Sequence, residues 1–324
     1  MKEKPEHSTL VSIIIATYNR SQLLYYAIQS IRQSHYNHWE LIVIGDSCTD
    51  NTEAVVRSFG DDRISFVNLP ENSGQQAIPN NHGTKLAKGE FVAFLNHDDM
   101  YLPSHLSNCM EIIEAENCDM ICCPYVSILP STPVELQDGT FRCKLMGFHI
   151  NNKFSPHVFQ VASSWFLRKE VIDKVGPWKH EDRLFVTPSQ EWLFRAHQKG
   201  VTMYFSDKVG VFTCFSGLRR GSYRSEDPYE HKYFFAGLKD PSFVARVIEK
   251  AGLHVYGETV DEKYNKAFKH LGFAFLIPVF RVIGKLYWHP QAILKLLRFG
   301  GKGGYIRDHR RYTTRKEVNS RFHK

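Results

Sequence analysis

Apolar residues in this chain come in short unbroken runs, each closed by a polar corner. Leu10 to Ala16 (LVSIIIA) is mainly β-branched and runs into Thr17, Tyr18, Asn19 and Arg20. Apolar character at consecutive positions is what a strand covered on both faces requires. After Ser21, placed to cap a helix, Leu23, Leu24, Ala27, Ile28 and Ile31 recur at three- and four-residue spacing, which predicts an amphipathic helix. Trp39 to Ile44 repeats the buried-strand pattern and ends in Gly45-Asp-Ser-Cys-Thr-Asp50; a helix over Thr52 to Phe59 and a short strand from Ile64 to Asn68 follow. In the polar segment after it, Pro79 to Lys88 starts a short helix, and Glu90 to Leu95 is a third buried strand ending in Asn96-His97-Asp98-Asp99. Pro103 suits the first turn of a helix reaching Ala115, and Met120 to Ile128 reads as one further strand. Strands alternating with helices predict an α/β fold with a mainly parallel central sheet.

The texture changes near residue 129. From there to 235 the chain has more aromatics and histidines and fewer long apolar runs, which predicts a mixed sheet carrying the second half of a cleft. Beyond 236 the periodicity is helical (Phe243, Val244, Val247, Ile248, then Ala267, Leu271, Phe275). Three segments follow: 1–128, 129–235 and a helical basic extension, 236–324. With 43% hydrophobic and 23% charged residues over 324 positions, the chain can bury a large core. The net charge of +7 is uneven: residues 285–324 hold eleven basic side chains against Asp308 and Glu317, so the first 284 residues carry a net charge of −2. Seven cysteines without two CxxC pairs fit neither a zinc ribbon nor a disulfide framework, and read as small buried hydrophobes in a reducing compartment. The polar N-terminus lacks a signal-peptide pattern, and the apolar stretch 271–288 is broken by Pro278, Arg281, Gly284 and Lys285. The expectation is a cytosolic protein.

Three polar corners follow three strands, and in open α/β sheets ligands sit at the carboxyl ends of strands. The strings Ala16-Thr-Tyr-Asn-Arg20, Gly45-Asp-Ser-Cys-Thr-Asp50 and Asn96-His-Asp-Asp99, in this order and spacing, resemble the nucleotide-binding half of family 2 glycosyltransferases with the GT-A fold. The resemblance covers residues 10–125 well and 160–200 less closely. It implies a GT-A (Rossmann-like) architecture, 1–128 forming the nucleotide-sugar half and 129–235 the acceptor half. A departing nucleoside diphosphate gathers negative charge, and Mg²⁺ or Mn²⁺ held by one or two carboxylates would neutralise it. Asp98 is the expected metal ligand, with Asp99 beside it; the alternative is that both cap the following helix. Asn96 stands where the family usually has an aspartate of its DXD string, which keeps an acceptor oxygen and loses a charge.

By the same resemblance Asp46 accepts a hydrogen bond from the base, with Tyr18 near the ring and Thr17 and Asn19 shaping the floor; a turn-forming role is the alternative for Asp46. Arg20 faces phosphate or starts a helix in solvent. Family members often carry an arginine where this chain has Asn80, and Lys85 is the candidate replacement. The region 187–196 matches the place of the family's general base. The usual Glu-Asp pair is absent there, and Gln190-Glu191 stands nearest. Glu191 is the first choice, Asp182 and Glu181 the next, and a first-turn acid favoured by the helix dipole is the plain reading of Glu191. Arg195 reads as a structural partner within that helix. Trp165 and Trp192 are either sugar-stacking platforms or core. The stretch 216–231, with Arg220 and Tyr223, suits a lid over diphosphate or a solvated loop. Sixteen histidines include no HxxxH pair, so none is assigned as a ligand, His97 included.

The implied activity is transfer of a sugar from a nucleotide-diphosphate donor to a hydroxyl of a glycan or lipid-linked acceptor, with inversion. The basic, aromatic-interspersed tail suits an anionic membrane surface, with solubilising charge as the alternative and no nucleic-acid module in view. A second class of function stays open: a non-catalytic nucleotide-sugar-binding subunit of a membrane-associated polysaccharide assembly complex.

Overall fold

The computed structural model describes residues 9–149, 152–156, 158–214, 228–253 and 302. The chain opens with β1 (Val11–Thr17), α1 (Ser21–Arg32), β2 (Trp39–Gly45), α2 (Thr52–Arg57), β3 (Ile64–Asn68), α3 (Ala77–Leu86) and β4 (Phe91–Phe94). Next come β5 (Asp99–Tyr101), α4 (His105–Glu116), β6 (Met120–Cys122), β7 (Tyr125–Ile128), α5 (Pro133–Gln137) and β8 (Cys143–Met146). The later elements are β9 (Trp165–Arg168), α6 (Glu170–Val175), α7 (Pro188–Gln198), β10 (Met203–Phe205), β11 (Val211–Cys214) and α8 (Tyr229–Gly237). A further helical stretch runs from 241 to 253.

Two sheets result. The larger has seven strands in the order β10-β6-β9-β4-β1-β2-β3, and β9 is its one antiparallel member. The smaller has four, β5-β11-β7-β8. β9 lies between β4 and β6, so strands from both sides of residue 129 share one sheet. The parallel core follows from the uniform burial of Val11, Ile13, Ile14 and Ile15 in β1 and of Leu41 to Ile44 in β2, which leaves no face for water. The helices cover both faces: α1 and α4 supply Leu24, Ile28, Ile31, Met110 and Ile113 to one core cluster, and α6 and α7 supply Val171, Val175, Trp192 and Leu193 to another.

Two expectations need correction. The single strand expected over Met120 to Ile128 is two strands in different sheets, β6 ending at Cys122 and β7 starting at Tyr125. Pro124 lies between them and has no N–H to carry a ladder onward. Ser21 is the first residue of α1, after Arg20, and does not cap it; its N–H is taken by the Asp50 carboxylate at 3.3 Å from the neighbouring corner, and its hydroxyl donates to Asn51 Oδ1 at 2.5 Å.

Three short crossings lead from the larger sheet into the smaller: 95–98 from β4 to β5, 123–124 from β6 to β7, and 206–210 from β10 to β11. Of the helical basic extension expected over 236–324, only 236–253 and Lys302 are described, and among the described residues no helix is long and apolar enough to cross a membrane. Gly89 is a close-approach position, where an added Cβ would sit 2.5 Å from the Leu10 carbonyl oxygen and 2.7 Å from Ser12 N. Both are backbone atoms of the entry to β1 and cannot retreat independently. Gly89→Ala is therefore expected to cost about 1–3 kcal/mol, read as a lower urea midpoint; an unchanged midpoint contradicts the packing described.

Candidate functional site

β1, β2 and β4 are parallel neighbours, so the corners that follow them open on one edge of the sheet. Hydrogen bonds tie these corners together. Asp46 N donates to Thr17 O at 2.8 Å, and Asn19 bridges to the second corner, its Oδ1 accepting from Thr49 N at 2.8 Å and its Nδ2 donating to Thr49 Oγ1 at 3.1 Å. The third corner joins through His97, whose Nδ1 lies 3.3 Å from Ala16 O. Asn19 (φ 47°) and Ser47 (φ 63°) both hold left-handed backbone, a cost that non-glycine residues meet most often at functional loops.

The Asp46 carboxylate is buried and engaged. It accepts from Ser73 N at 3.0 Å, Ser73 Oγ at 2.9 Å and Gly74 N at 3.0 Å, while its carbonyl accepts from Asn72 Nδ2 at 2.7 Å. The side chain thus folds the 72–74 segment over the second corner. Thr17 is buried beneath, Tyr18 is exposed beside it, and Arg20 is buried.

The acid pair divides its tasks. Asp98 is half-buried on the crossing, whereas Asp99 is buried at the start of β5. Asp99 Oδ2 accepts from Ser163 Oγ at 2.5 Å and from Asn96 Nδ2 at 2.9 Å. Burial pushes the Asp99 carboxyl well above the ordinary carboxylate range, and the neighbouring Asp98 charge pushes the same way. Asp99 therefore faces inward as an anchor of the crossing and does not stand beside Asp98 as a second ligand. Asn96 gives Asp99 an N–H that an aspartate could not, which explains the amide at that position.

A residue not singled out in the sequence completes this corner. His231, from α8, is 1% exposed and its Nε2 lies 2.9 Å from the Asp98 carbonyl oxygen. Burial lowers the His231 pKa, as it does that of His97, and the charges of Asp98 and Arg20 act on both imidazoles. Arg20, His97, Asp98 and His231 thus form one group from three separate parts of the chain. Ser163 and Ser73 were missed as well. No sequence signal marks them, because their partners are more than twenty residues away.

Trp165, Trp178 and Trp192 pack together with ring centroids 5.4–6.1 Å apart, and Phe94, at the end of β4, meets Trp178 edge-on at 5.3 Å. Trp165 and Trp192 are fully buried, so they are core and not platforms for a sugar. This stack fixes the start of α7 against the strand end that carries Asp98. Glu191 Oε1 accepts from Lys179 Nζ at 2.7 Å and from Arg195 Nε at 2.9 Å, and Oε2 from Arg195 Nη2 at 3.0 Å. Arg195 also donates to the Val175 and Pro177 carbonyls. Asp182 is exposed and pairs with His180 Nδ1 at 2.7 Å, while Glu181 is buried.

Lys85 is corrected. It is exposed in the last turn of α3, and three and four residues later the chain bonds to the amino ends of β2 and β1, Lys88 N to Glu40 Oε1 and Gly89 N to Ser12 Oγ. It stands at the opposite end of the sheet from the corners and does not replace the missing arginine. Asn80 is buried, and its neighbour Asn81 exchanges hydrogen bonds with the Trp178 backbone at 2.8 and 2.9 Å. Arg220 and Tyr223 lie outside the described residues. A cavity of about 520 Å³ opens elsewhere, at the carboxyl end of α1, lined by Arg32, His35, Leu102, Lys239 and Val244 among others; it is remote from the corners and contains no acid.

The family model described as "Glycosyl transferase family 2" matches residues 12–176, half of the chain. The chain belongs to glycosyl transferase family 2. Its likeness to a UDP-Glc:α-D-GlcNAc-diphosphoundecaprenol β-1,3-glucosyltransferase, WfaP, of Escherichia coli is 36% identity over 107 residues, 33% of this chain and 42% of that one. A GalNAc(5)-diNAcBac-PP-undecaprenol β-1,3-glucosyltransferase of Campylobacter jejuni is 40% identical over 104 residues, 31% of this chain and 33% of that one. The chain therefore matches well under half the length of these curated relatives. Among solved structures, S. aureus TarS 1–349 in complex with UDP-GlcNAc aligns over 70% of this chain and 66% of that one, with a TM-score of 0.51 and 20% identity. Mannosyltransferase PcManGT from Pyrobaculum calidifontis, in complex with GDP-Man and Mn²⁺, aligns over 90% and 88%, with a TM-score of 0.52 and 14% identity. These two likenesses establish the GT-A family 2 fold.

Removing the Asp46 carboxylate strands the Ser73 and Gly74 donors. Asp46→Ala is expected to lower stability by about 2–3 kcal/mol and to open the 72–74 segment to limited proteolysis; an unchanged melt and digestion pattern would sink the clamp.

Proposed function

We propose that the chain transfers a glycosyl group from a nucleoside-diphosphate sugar to a hydroxyl of a glycan or lipid-linked acceptor, with inversion. The observation that carries the reading is the convergence of the three corners, with Asp98 on the third. The relatives support it by their names, which specify diphosphoundecaprenol-linked acceptors for WfaP and the Campylobacter protein. The donors in the solved complexes, UDP-GlcNAc and GDP-Man, support the donor class.

In this reading the base and ribose lie over Thr17, Tyr18 and Asn19, beneath the segment clamped by Asp46, and Arg20 counters phosphate charge. Mg²⁺ and Mn²⁺ take one or two protein carboxylates and complete their shell with phosphates and waters, so Asp98, half-buried on the third corner, is a fitting ligand. The ion, when bound, supplies Lewis-acid neutralisation of the diphosphate charge. Asn96 and Asp99 hold the crossing that presents Asp98.

On the other side of the anomeric carbon an acceptor hydroxyl must lose its proton as its oxygen attacks and the bond to the diphosphate oxygen breaks. Glu191 is the proposed base. Its Oε1 accepts from two donors, whereas Oε2 accepts from Arg195 Nη2 alone among the described residues and so keeps a lone pair for the proton. Lys179 and Arg195 fix the carboxylate direction, the preorganisation a base needs. Asp182, exposed and beside His180, is the second candidate. The basic tail would hold the protein near an anionic surface where a lipid-linked acceptor resides.

Purified protein assayed with a panel of UDP, GDP and dTDP sugars and Mn²⁺ tests this. Release of nucleoside diphosphate is expected from the wild type, with a loss of about 100-fold or more in Asp98→Ala at an unchanged melting temperature. Glu191→Gln should lose transfer by about 100-fold or more while donor binding persists, and Asp182→Asn should retain most activity. Full activity in Asp98→Ala removes the role given to that residue. If Asp182→Asn loses transfer and Glu191→Gln keeps it, the base assignment passes to Asp182. Donor binding without turnover on any donor would favour the non-catalytic subunit.

A further inference from the structure

His105 and Cys109 are one turn apart on α4, and Cys123 sits on the crossing from β6 to β7. All three are buried, at 1%, 0% and 2% exposure. Cys109 Sγ is 3.7 Å from Cys123 Sγ and 3.8 Å from His105 Nδ1, and the three ligand atoms lie within 4.8 Å of one another. We propose that His105, Cys109 and Cys123 form a structural binding site for a thiophilic divalent cation, Zn²⁺, at the seam between the two sheets.

The spacing is the first argument. A triangle with two sides of 3.7 and 3.8 Å and a third no longer than 4.8 Å has a centre about 2.2–2.4 Å from each corner, close to the ~2.0–2.3 Å of zinc–imidazole and zinc–thiolate bonds. Two thiolates bound tetrahedrally to one zinc stand about 3.7–3.8 Å apart. Thiolates and imidazole are the donors that select such an ion over Mg²⁺, which prefers oxygen.

The second argument is the way the trio is built. The His105 ring packs on Tyr101 with centroids 4.4 Å apart. Its other flank is open only because residue 210 is glycine, where a Cβ would stand 2.2 Å from His105 Nδ1 and 3.3 Å from Cys123 Cβ.

The trio draws on α4 and the crossing at 123–124, and it packs on Gly210 of the crossing at 206–210. The remaining crossing, 95–98, carries Asp98 and enters β5, whose Tyr101 rests on His105. A metal here would brace the seam on which the corner at 96–98 depends, without touching a substrate. The i, i+4 pair of His105 and Cys109 is legible in the sequence once cysteine is admitted beside histidine as a helical ligand pair.

The full chain, reduced and stripped with a chelator, is titrated with Co²⁺ and then with Zn²⁺. One equivalent of Co²⁺ is expected to give a strong near-ultraviolet thiolate-to-metal charge-transfer band that Zn²⁺ abolishes. Zinc at 100-fold excess over its Kd should raise the melting temperature by about 5–10 °C. The band should be absent in a Cys109→Ser/Cys123→Ser variant and present in Asp98→Ala, whose missing ligand belongs to an oxygen site. Anomalous diffraction at the zinc edge from wild-type crystals does not depend on the variants folding, and should place the ion at bonding distance from both Sγ atoms. Uptake without the band, a band that survives the double substitution, no uptake at all, or a Cys109–Cys123 disulfide in the reduced chain's place would each overturn the proposal.

Discussion

The parallel pairing of β1 with β2 on one side and β4 on the other is the constraint on which the rest depends. Parallel strands end on the same edge, so residues 17–20, 45–50 and 95–98 are delivered together. Strands buried on both faces cannot slip by one residue without turning polar positions such as Ser12 and Glu40, already hydrogen-bonded to each other at 2.6 Å, out of register. The polar corners are then free to vary in chemistry while the sheet holds their positions. Asn19, His97 and Asp46 close the arrangement with hydrogen bonds that cross from corner to corner.

At the third corner two adjacent acids have opposite surroundings. Asp99 is enclosed by Ser163, Asn96 and the start of β5, and burial favours its neutral form. Asp98 remains on the crossing, with its backbone held by His231. A conventional pair of aspartates around this position would put a further negative charge beside Asp99. The amide of Asn96 instead donates to it, so the departure from the family string reads as part of the local hydrogen-bond network. At α7 the same logic holds: three stacked tryptophans position the helix, and Arg195 and Lys179 set the direction of Glu191.

What was legible in the sequence was local. The β-branched runs announced β1, β2 and β4, and the spacing of Leu23 to Ile31 announced α1. The three corners were readable because polar residues after a buried strand have no other place than its end. The break at Pro124 was hidden inside an apolar run, since composition alone does not tell one strand from two in different sheets. Lys85 was misplaced because a helix spans the height of the sheet, so a residue near its end faces the wrong edge. The partnerships of Ser73, Ser163 and His231 depend on contacts distant in sequence, which no periodicity encodes. His105 and Cys109 lay in plain view, but Cys123 joins them only after the sheets are assembled.

The most direct test of the converging corners is a crystal structure of the full chain with a nucleoside diphosphate and Mn²⁺. The account requires the base between Tyr18 and the segment clamped by Asp46, and the diphosphate sharing the ion with Asp98 at about 2.0–2.3 Å. Nucleotide bound instead in the cavity lined by Arg32, His35 and Lys239, or an ion bound away from Asp98, would contradict it.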